Sequence, residues 1–244
     1  LTGNDNSKKS KKFDEQFLPR LALLYPLSKN ISLFVTVSKG FSPATIAEIR
    51  SSDANINTDL QPEFGWNYES GIRGGSANNR FQFEGSIYYF KLQQAIVRRL
   101  NNAGAEYFIN AGGTDQKGVE ARVAYSLIND PGALFSLIRL WSGFTHNDFS
   151  FTNYTVDNTD HSGRTVTGVP KNTYLAGLDI NTSGGFYLYT SINHTSKLPL
   201  NDANNEFANA YNLLQAKIGW KKQVGSNAGI EIFAGADNLL NEKY

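Results

Sequence analysis

The 244-residue sequence has no cysteine and no methionine, and its 23 basic side chains are balanced by 22 acidic ones. Without cysteine there is no disulfide framework and no thiolate metal site, although an oxidising compartment stays open because a chain of this size can do without bridges. No stretch approaches about 18 consecutive apolar residues, so no transmembrane helix is expected. Leu1 opens a polar segment rather than a signal peptide, and a chain without Met is expected to be processed or a fragment. The formal charge of +1 lacks the basic excess of a protein that grips phosphates, which excludes nucleic acid as the expected partner. Residues 1–12, with the run Lys8-Lys9-Ser10-Lys11-Lys12, are expected to be a flexible loop.

What is present points to strands. Twelve Tyr, 16 Phe and 22 Gly make a β-rich composition, and the hydrophobic period agrees. From Gly118 to Leu127, Val119, Ala121, Val123, Tyr125 and Leu127 alternate with Glu120, Arg122, Ala124 and Ser126. Ile31–Ser38 and Ile230–Asp237 repeat the pattern. Turn clusters at Tyr25–Asn30, Gly74–Asn79, Asn129–Gly132, Thr182–Gly185 and Val224–Asn227 read as short hairpin turns. Between them fall long polar connections at 40–63, 99–112, 147–167 and 198–209. About ten strands result, at 17–25, 31–39, 64–73, 80–92, 113–128, 134–146, 169–181, 186–197, 210–222 and 229–238, with no domain boundary. Most are nine residues or longer, nearer the roughly 9 to 11 of a tilted bilayer-crossing strand than the usual 5 to 6.

If one face of each strand touches lipid, ionisable groups must occupy the other, because a charge at the bilayer midplane costs about 2 to 4 kcal/mol. Glu69, Arg73, Glu84, Glu120, Arg122, Arg139, Asp179, Lys217, Glu231 and Asp237 all fall opposite the apolar set of their strand. A soluble sandwich produces the same alternation, so strand length and loop asymmetry separate the two cases. Tyr25, Trp220 and Tyr174 are expected at one membrane interface and Trp66 and Tyr68 at the opposite one.

Several segments resemble the carboxy-terminal half of a TonB-dependent outer-membrane receptor. Gly235-Ala-Asp-Asn-Leu-Leu-Asn-Glu-Lys-Tyr244 is similar to that family's last-hairpin pattern, with Leu240 and Asn241 in place of the usual Phe and Asp. Ser38–Pro43, Asn57–Glu63 leading to Tyr68–Gly71, Asn110-Ala-Gly112 with Gly118-Val-Glu120, and Val169–Asn172 follow in the family's order. The resemblance spans residues 17–244. It implies an all-β fold, an antiparallel up-and-down transmembrane barrel, of which 1–244 is one partial domain supplying ten strands of a larger barrel of about 22. It further implies a plug outside this chain, coupling to TonB, residence in the outer membrane of a Gram-negative bacterium, and uptake of an iron-siderophore or haem complex. A passive porin-like channel and a soluble β-sandwich adhesin or carbohydrate-binding module are the alternatives.

Chemistry of other kinds finds little support. His146, His161 and His194 lack metal-ligand spacing and read as loop histidines, so neither a metal nor another cofactor is expected. Asp53-x-Asn55-x-Asn57-x-Asp59 imitates a calcium loop, but Thr58 replaces the turn Gly and Phe64 the bidentate Glu. Ser142, His146 and Asp148 do not make a catalytic triad, because four residues of strand separate Ser from His by more than about 12 Å. No enzyme is expected. The candidate solute-binding residues are Arg98 and Arg99, read as closing a long strand at a loop mouth, with Tyr154 and His161 in the 147–167 loop beside Arg164. Cations beside an aromatic ring can hold an anionic iron chelate.

Overall fold

The computed structural model describes residues 15–50, 52, 56–100, 103–110, 112–156, 158–225 and 228–243. The segment 1–12 and the calcium-loop positions Asp53 and Asn55 lie outside them. The first half holds β1 (Arg20–Ser28), β2 (Ile31–Ser42), a short helix α1 (Ile46–Ile49), β3 (Glu63–Gly75), β4 (Phe81–Gln93), β5 (Ile96–Leu100), β6 (Glu106–Asn110) and β7 (Gly113–Asn129). There follow β8 (Phe135–Thr152), β9 (Thr155–Val156), β10 (Thr159–Asp160), β11 (Asn172–Thr182) and β12 (Phe186–Thr195), then β13 (Leu198–Pro199), β14 (Phe207–Ala208), β15 (Tyr211–Val224) and β16 (Ala228–Ala236).

Ten long strands form one antiparallel sheet in the order β1-β2-β3-β4-β7-β8-β11-β12-β15-β16, each beside the next long strand of the sequence. The up-and-down order expected from alternating turns is therefore present, and no Greek key occurs among these strands. The sheet does not close: β1 and β16 are its edges. The other six strands are short hairpins inside long connections, β5 with β6, β9 with β10 and β13 with β14. The long polar connections read from the sequence thus contain short strands of their own, and their bounds shift. β2 runs on to Ser42 and β8 to Thr152, so the loops at the long-loop rim are 43–62, 94–112, 153–171 and 196–210. β7 and β8, at 17 and 18 residues, exceed what a bilayer crossing needs and carry the wall beyond it.

The sheet has one layer and no packed interior. Ile87, Ile218 and Ile232, mid-strand, are 61%, 60% and 67% exposed, whereas the buried apolar residues Ala44, Leu60, Ala95, Phe151 and Tyr154 belong to the long-loop rim, and Tyr187 of β12, near the tight turns, is buried on the opposite, charged face. A soluble sandwich requires a second sheet against the apolar face. None is present among the described residues. The pairing puts Leu33, Val35, Ile87, Val123, Ile218 and Ile232 on one face of the sheet and Glu69, Glu84, Glu120, Arg122, Arg139, Lys217 and Glu231 on the other, as strict alternation dictates. An open pocket of about 710 Å³ lined by Glu84, Arg122, Arg139, Trp141 and Asp179 lies on the charged face, which is thus the concave side. There the Trp141 ring lies flat across Gly177, where a Cβ would come 2.2 Å from its Cζ2, and its indole N–H donates to Asp179 at 3.3 Å.

Aromatic rings mark both rims of the outward face. Phe81 with Phe83 and Phe186 with Trp220 sit toward the tight turns, Trp66 with Tyr68 and Tyr89 toward the long loops. Tyr174 had been grouped with Tyr25 and Trp220. It stacks instead on Phe144 at 4.8 Å at the long-loop rim, because β11 begins, rather than ends, there. Two histidines are likewise moved: His146 lies on β8 and His194 on β12, each bonded through Nδ1 to an Asn on the adjacent strand, and only His161 is in a loop.

Candidate functional site

The four long loops are stitched to one another in sequence order. In the first, Thr45 caps α1 reciprocally with Glu48, and the chain then meets the β5–β6 hairpin of the second. Asn57 donates to the carbonyl of Phe108 at 2.9 Å, and Asn110 and Gln61 bond each other twice. This hairpin carries Arg98 and Arg99, which therefore stand within the loop rather than at the end of a long wall strand. Their charged side chains interrupt the apolar alternation, which is why the short hairpin did not register as one.

Tyr154 joins the second, third and fourth loops. Its hydroxyl accepts from Arg99 Nη2 at 2.6 Å and donates to Asp202 Oδ2 at 2.6 Å, while the other oxygen of Asp202 accepts from Thr167 at 2.6 Å. The ring stacks on Phe151 at 4.5 Å and is only 1% exposed. Burial, reinforced by the bond to the Asp202 carboxylate, pushes the phenol above its ordinary value, with Arg99 pulling the other way. The third and fourth loops meet again where Asn204 bonds the backbone of Thr165 in both directions and Arg164 donates to the carbonyl of Ala203.

Of the four sequence-derived candidates, the fold brings three together. Arg99 reaches the Tyr154 hydroxyl, and the His161 ring lies 5.9 Å from that of Tyr154, 8% exposed, with no hydrogen-bond partner for Nδ1 among the described residues. Arg98 turns away to pair with Glu106 at 2.5 Å. Both partners of that pair are substantially exposed, so it contributes only about 0 to 1 kcal/mol and leaves the guanidinium readily exchangeable. Asp202, Thr167 and Glu106 were not singled out by sequence reasoning. Asp202 stands in the polar cluster Asn201–Asn205, where nothing local distinguishes it from its neighbours. Among the described residues no group of three or more His, Asp or Glu could hold a metal ion.

An open, single-layer wall with lipid-type and polar faces, tight turns at one rim and a stitched set of loops at the other, is the geometry of a piece of outer-membrane barrel. The family model for the TonB dependent receptor-like β-barrel matches residues 1–239. The chain belongs to the TonB-dependent receptor β-barrel family. Members of that family are receptors and transporters, not enzymes. Among curated relatives, the ferrioxamine B receptor of Salmonella typhimurium is 23% identical over 230 residues, 92% of this chain and 30% of its own. The ferric yersiniabactin uptake receptor of Yersinia pestis superposes with a TM-score of 0.70 at 20% identity, covering 94% of this chain and 33% of that one. The ferric preacinetobactin receptor of Acinetobacter baumannii gives 0.68 at 22% identity over 92% and 32%. The chain thus spans about a third of the length of these TonB-dependent receptors, and at such identities the structural likeness establishes the fold alone.

Proposed function

We propose that residues 1–244 form one stretch of the barrel wall of an outer-membrane receptor in a Gram-negative bacterium. Its task is energised uptake of a scarce large solute, most suitably an iron-siderophore or haem complex, with energy from TonB acting through a plug outside this chain. The observation that carries the reading is the stitched cap of four long loops above a charged concave wall, since a receptor needs a built mouth where a passive channel needs an open one. Relatives described as receptors for ferrioxamine B and ferric yersiniabactin support an iron chelate as the solute class. The unbroken ten-strand sheet supports a single partial barrel domain with outer-membrane lipid around it.

Within the cap the roles divide by exposure. Arg98 offers an exchangeable cation to the acidic groups of a chelate, while Arg99, Tyr154 and His161 shape the cap that surrounds it. The test is uptake of labelled iron chelates by cells carrying the full-length receptor with Arg98, Arg99, Tyr154 and His161 changed to Ala together. Weaker capture is expected. Unchanged affinity and uptake for every chelate would dismiss these residues, and uptake that persists without TonB would replace the receptor with a passive channel.

A further inference from the structure

The cap already holds one carboxylate, its own. Thr167 Oγ1 donates to Asp202 Oδ1 at 2.6 Å and the Tyr154 hydroxyl to Oδ2 at 2.6 Å, so two hydroxyls of the third loop clamp both oxygens of a carboxylate from the fourth. Arg99 of the second loop stands behind the clamp. Its Nη2 donates to the same Tyr154 hydroxyl at 2.6 Å, and its Cζ lies 5.2 Å from the centre of the ring. A phenol that accepts from a guanidinium donates more strongly, so the three groups act as one acid-binding constellation. It opens on the mouth of the barrel, because Phe151, on which Tyr154 stacks, pairs with Thr114 on the concave side of the wall, the side of Gln116 and Glu120.

Asp202 fills this constellation incompletely. An ionised carboxylate accepts at about four lone-pair positions, and only two are used here. Among the described residues it forms no ion pair, since Arg99 reaches it only through the phenol. The His161 ring, buried beside Tyr154, likewise leaves Nδ1 without a partner among the described residues. Asp202, Thr167 and Arg99 are each partly exposed, so a solute can reach the clamp. Nor is Asp202 the only tie of its loop. On either side of it the fourth loop is bound to the third, by the Gly168 amide on the carbonyl of Pro199 at 2.9 Å and by the Asn204 amide on both backbone groups of Thr165 at 2.8 and 3.0 Å. The carboxylate can therefore swing out by side-chain rotation while the backbone keeps those ties.

We propose that Asp202 is a resident stand-in for a solute carboxylate: the receptor captures a chelate bearing at least one carboxylate not bound to its metal, and that group displaces Asp202 from Tyr154, Thr167 and Arg99. The inference rests on the receptor reading above and deepens it by naming the solute class. A solute carboxylate remakes both hydroxyl bonds and, being free of the fourth-loop backbone, also meets Arg99 directly in the forked geometry that Asp202 does not reach. A chelate whose oxygens are all committed to the metal has no such group to offer. While Asp202 holds the constellation, only a fraction of receptors is competent, and the apparent affinity is lowered by that fraction. The stand-in thus keeps the loops docked over the mouth and yields to a matching acid.

The test is equilibrium binding of two radio-iron probes to the full-length receptor: ferric citrate, which leaves carboxyl groups off the metal, and ferric acetohydroxamate, which is neutral and has none. Native receptor is expected to prefer ferric citrate. Asp202→Ala should bind it at least about tenfold more tightly, because the internal competitor is gone. Adding Thr167→Val to Asp202→Ala should remove the gain, and Asn205→Ala in the same loop should leave the native affinity unchanged. Should Asp202→Ala loosen the cap, Asp202→Asn, which keeps the size and discards the charge, carries the same comparison. No gain in either Asp202 variant, an equal gain for ferric acetohydroxamate, or ferric citrate bound by neither native receptor nor variants would each overturn the proposal. Uptake by cells keeps the two readings apart. TonB-dependent accumulation of iron chelates without any preference for a free carboxylate defeats only the stand-in, whereas no TonB-dependent accumulation of any tested iron chelate defeats the receptor reading beneath it.

Discussion

Tyr154→Phe isolates the three-loop junction, because it removes one oxygen and leaves the ring on Phe151. Two bonds are lost, one from the Arg99 guanidinium and one to the Asp202 carboxylate, both 2.6 Å long. Hydrogen bonds to charged groups contribute about 1.5 to 3 kcal/mol each. Arg99 and Asp202 are partly exposed, and Asp202 keeps Thr167, so water recovers part of that sum. A net loss of about 2 to 4 kcal/mol in loop docking follows, or about 30-fold to 1,000-fold in the opening equilibrium. Amide hydrogen exchange in the full-length receptor reads this directly. Protection should fall by that factor together in 94–112, 153–171 and 196–210, with β7, β8 and β12 unchanged. A fall confined to 153–171, or of less than about threefold, would refute the idea that one hydroxyl couples three loops.

On the wall, Val123→Arg is expected to block assembly at a cost of about 2 to 4 kcal/mol, whereas Arg122→Gln on the adjacent, concave-facing position assembles normally. Heat-modifiable gel migration distinguishes them, and equal behaviour counts against the lipid-facing assignment. Since the folded chain holds the Tyr154 proton more tightly than the unfolded chain, whose phenol has its ordinary value of 10.0, the cap should keep full stability below about pH 10 and lose it as pH rises through the raised value. The difference in tyrosinate absorbance between native and Tyr154→Phe checks this, and ionisation at or below pH 10 contradicts it. Gly177→Ala should push the Trp141 ring off the wall and cost about 1 to 3 kcal/mol, seen as a lowered unfolding midpoint and a shifted Trp emission. An unchanged spectrum would show that the ring does not lie where the packing places it.

The wall was legible from the chain because its determinants are local. A strand's period of two sends Val119, Val123 and Leu127 to one side and Glu120 and Arg122 to the other without reference to any partner, and tight turns then oblige consecutive long strands to pair. Charged positions such as Glu69, Arg139 and Lys217 could thus be assigned to one face in advance. Rim identity was less secure: Tyr174 falls near the middle of a strand read as 169–181, and only the start of β11 at Asn172 sets it at the long-loop rim.

The cap had no such local signature. Arg99, Tyr154 and Asp202 stand 55 and 48 residues apart, in loops whose composition satisfies solvent as readily as it satisfies a partner. Arg99 and Tyr154 could be chosen by type, but that their side chains share one hydroxyl, and that Arg98 turns instead to Glu106, depends on how the hairpin of β5 and β6 leans over the wall. The height of outward-facing charges on the wall divides the same way. Alternation alone sends Lys39, Lys91 and Lys117 outward, while only the register of β2, β3, β4 and β7 brings them to one height, since strand pairing, unlike side-chain period, is a relation between distant segments.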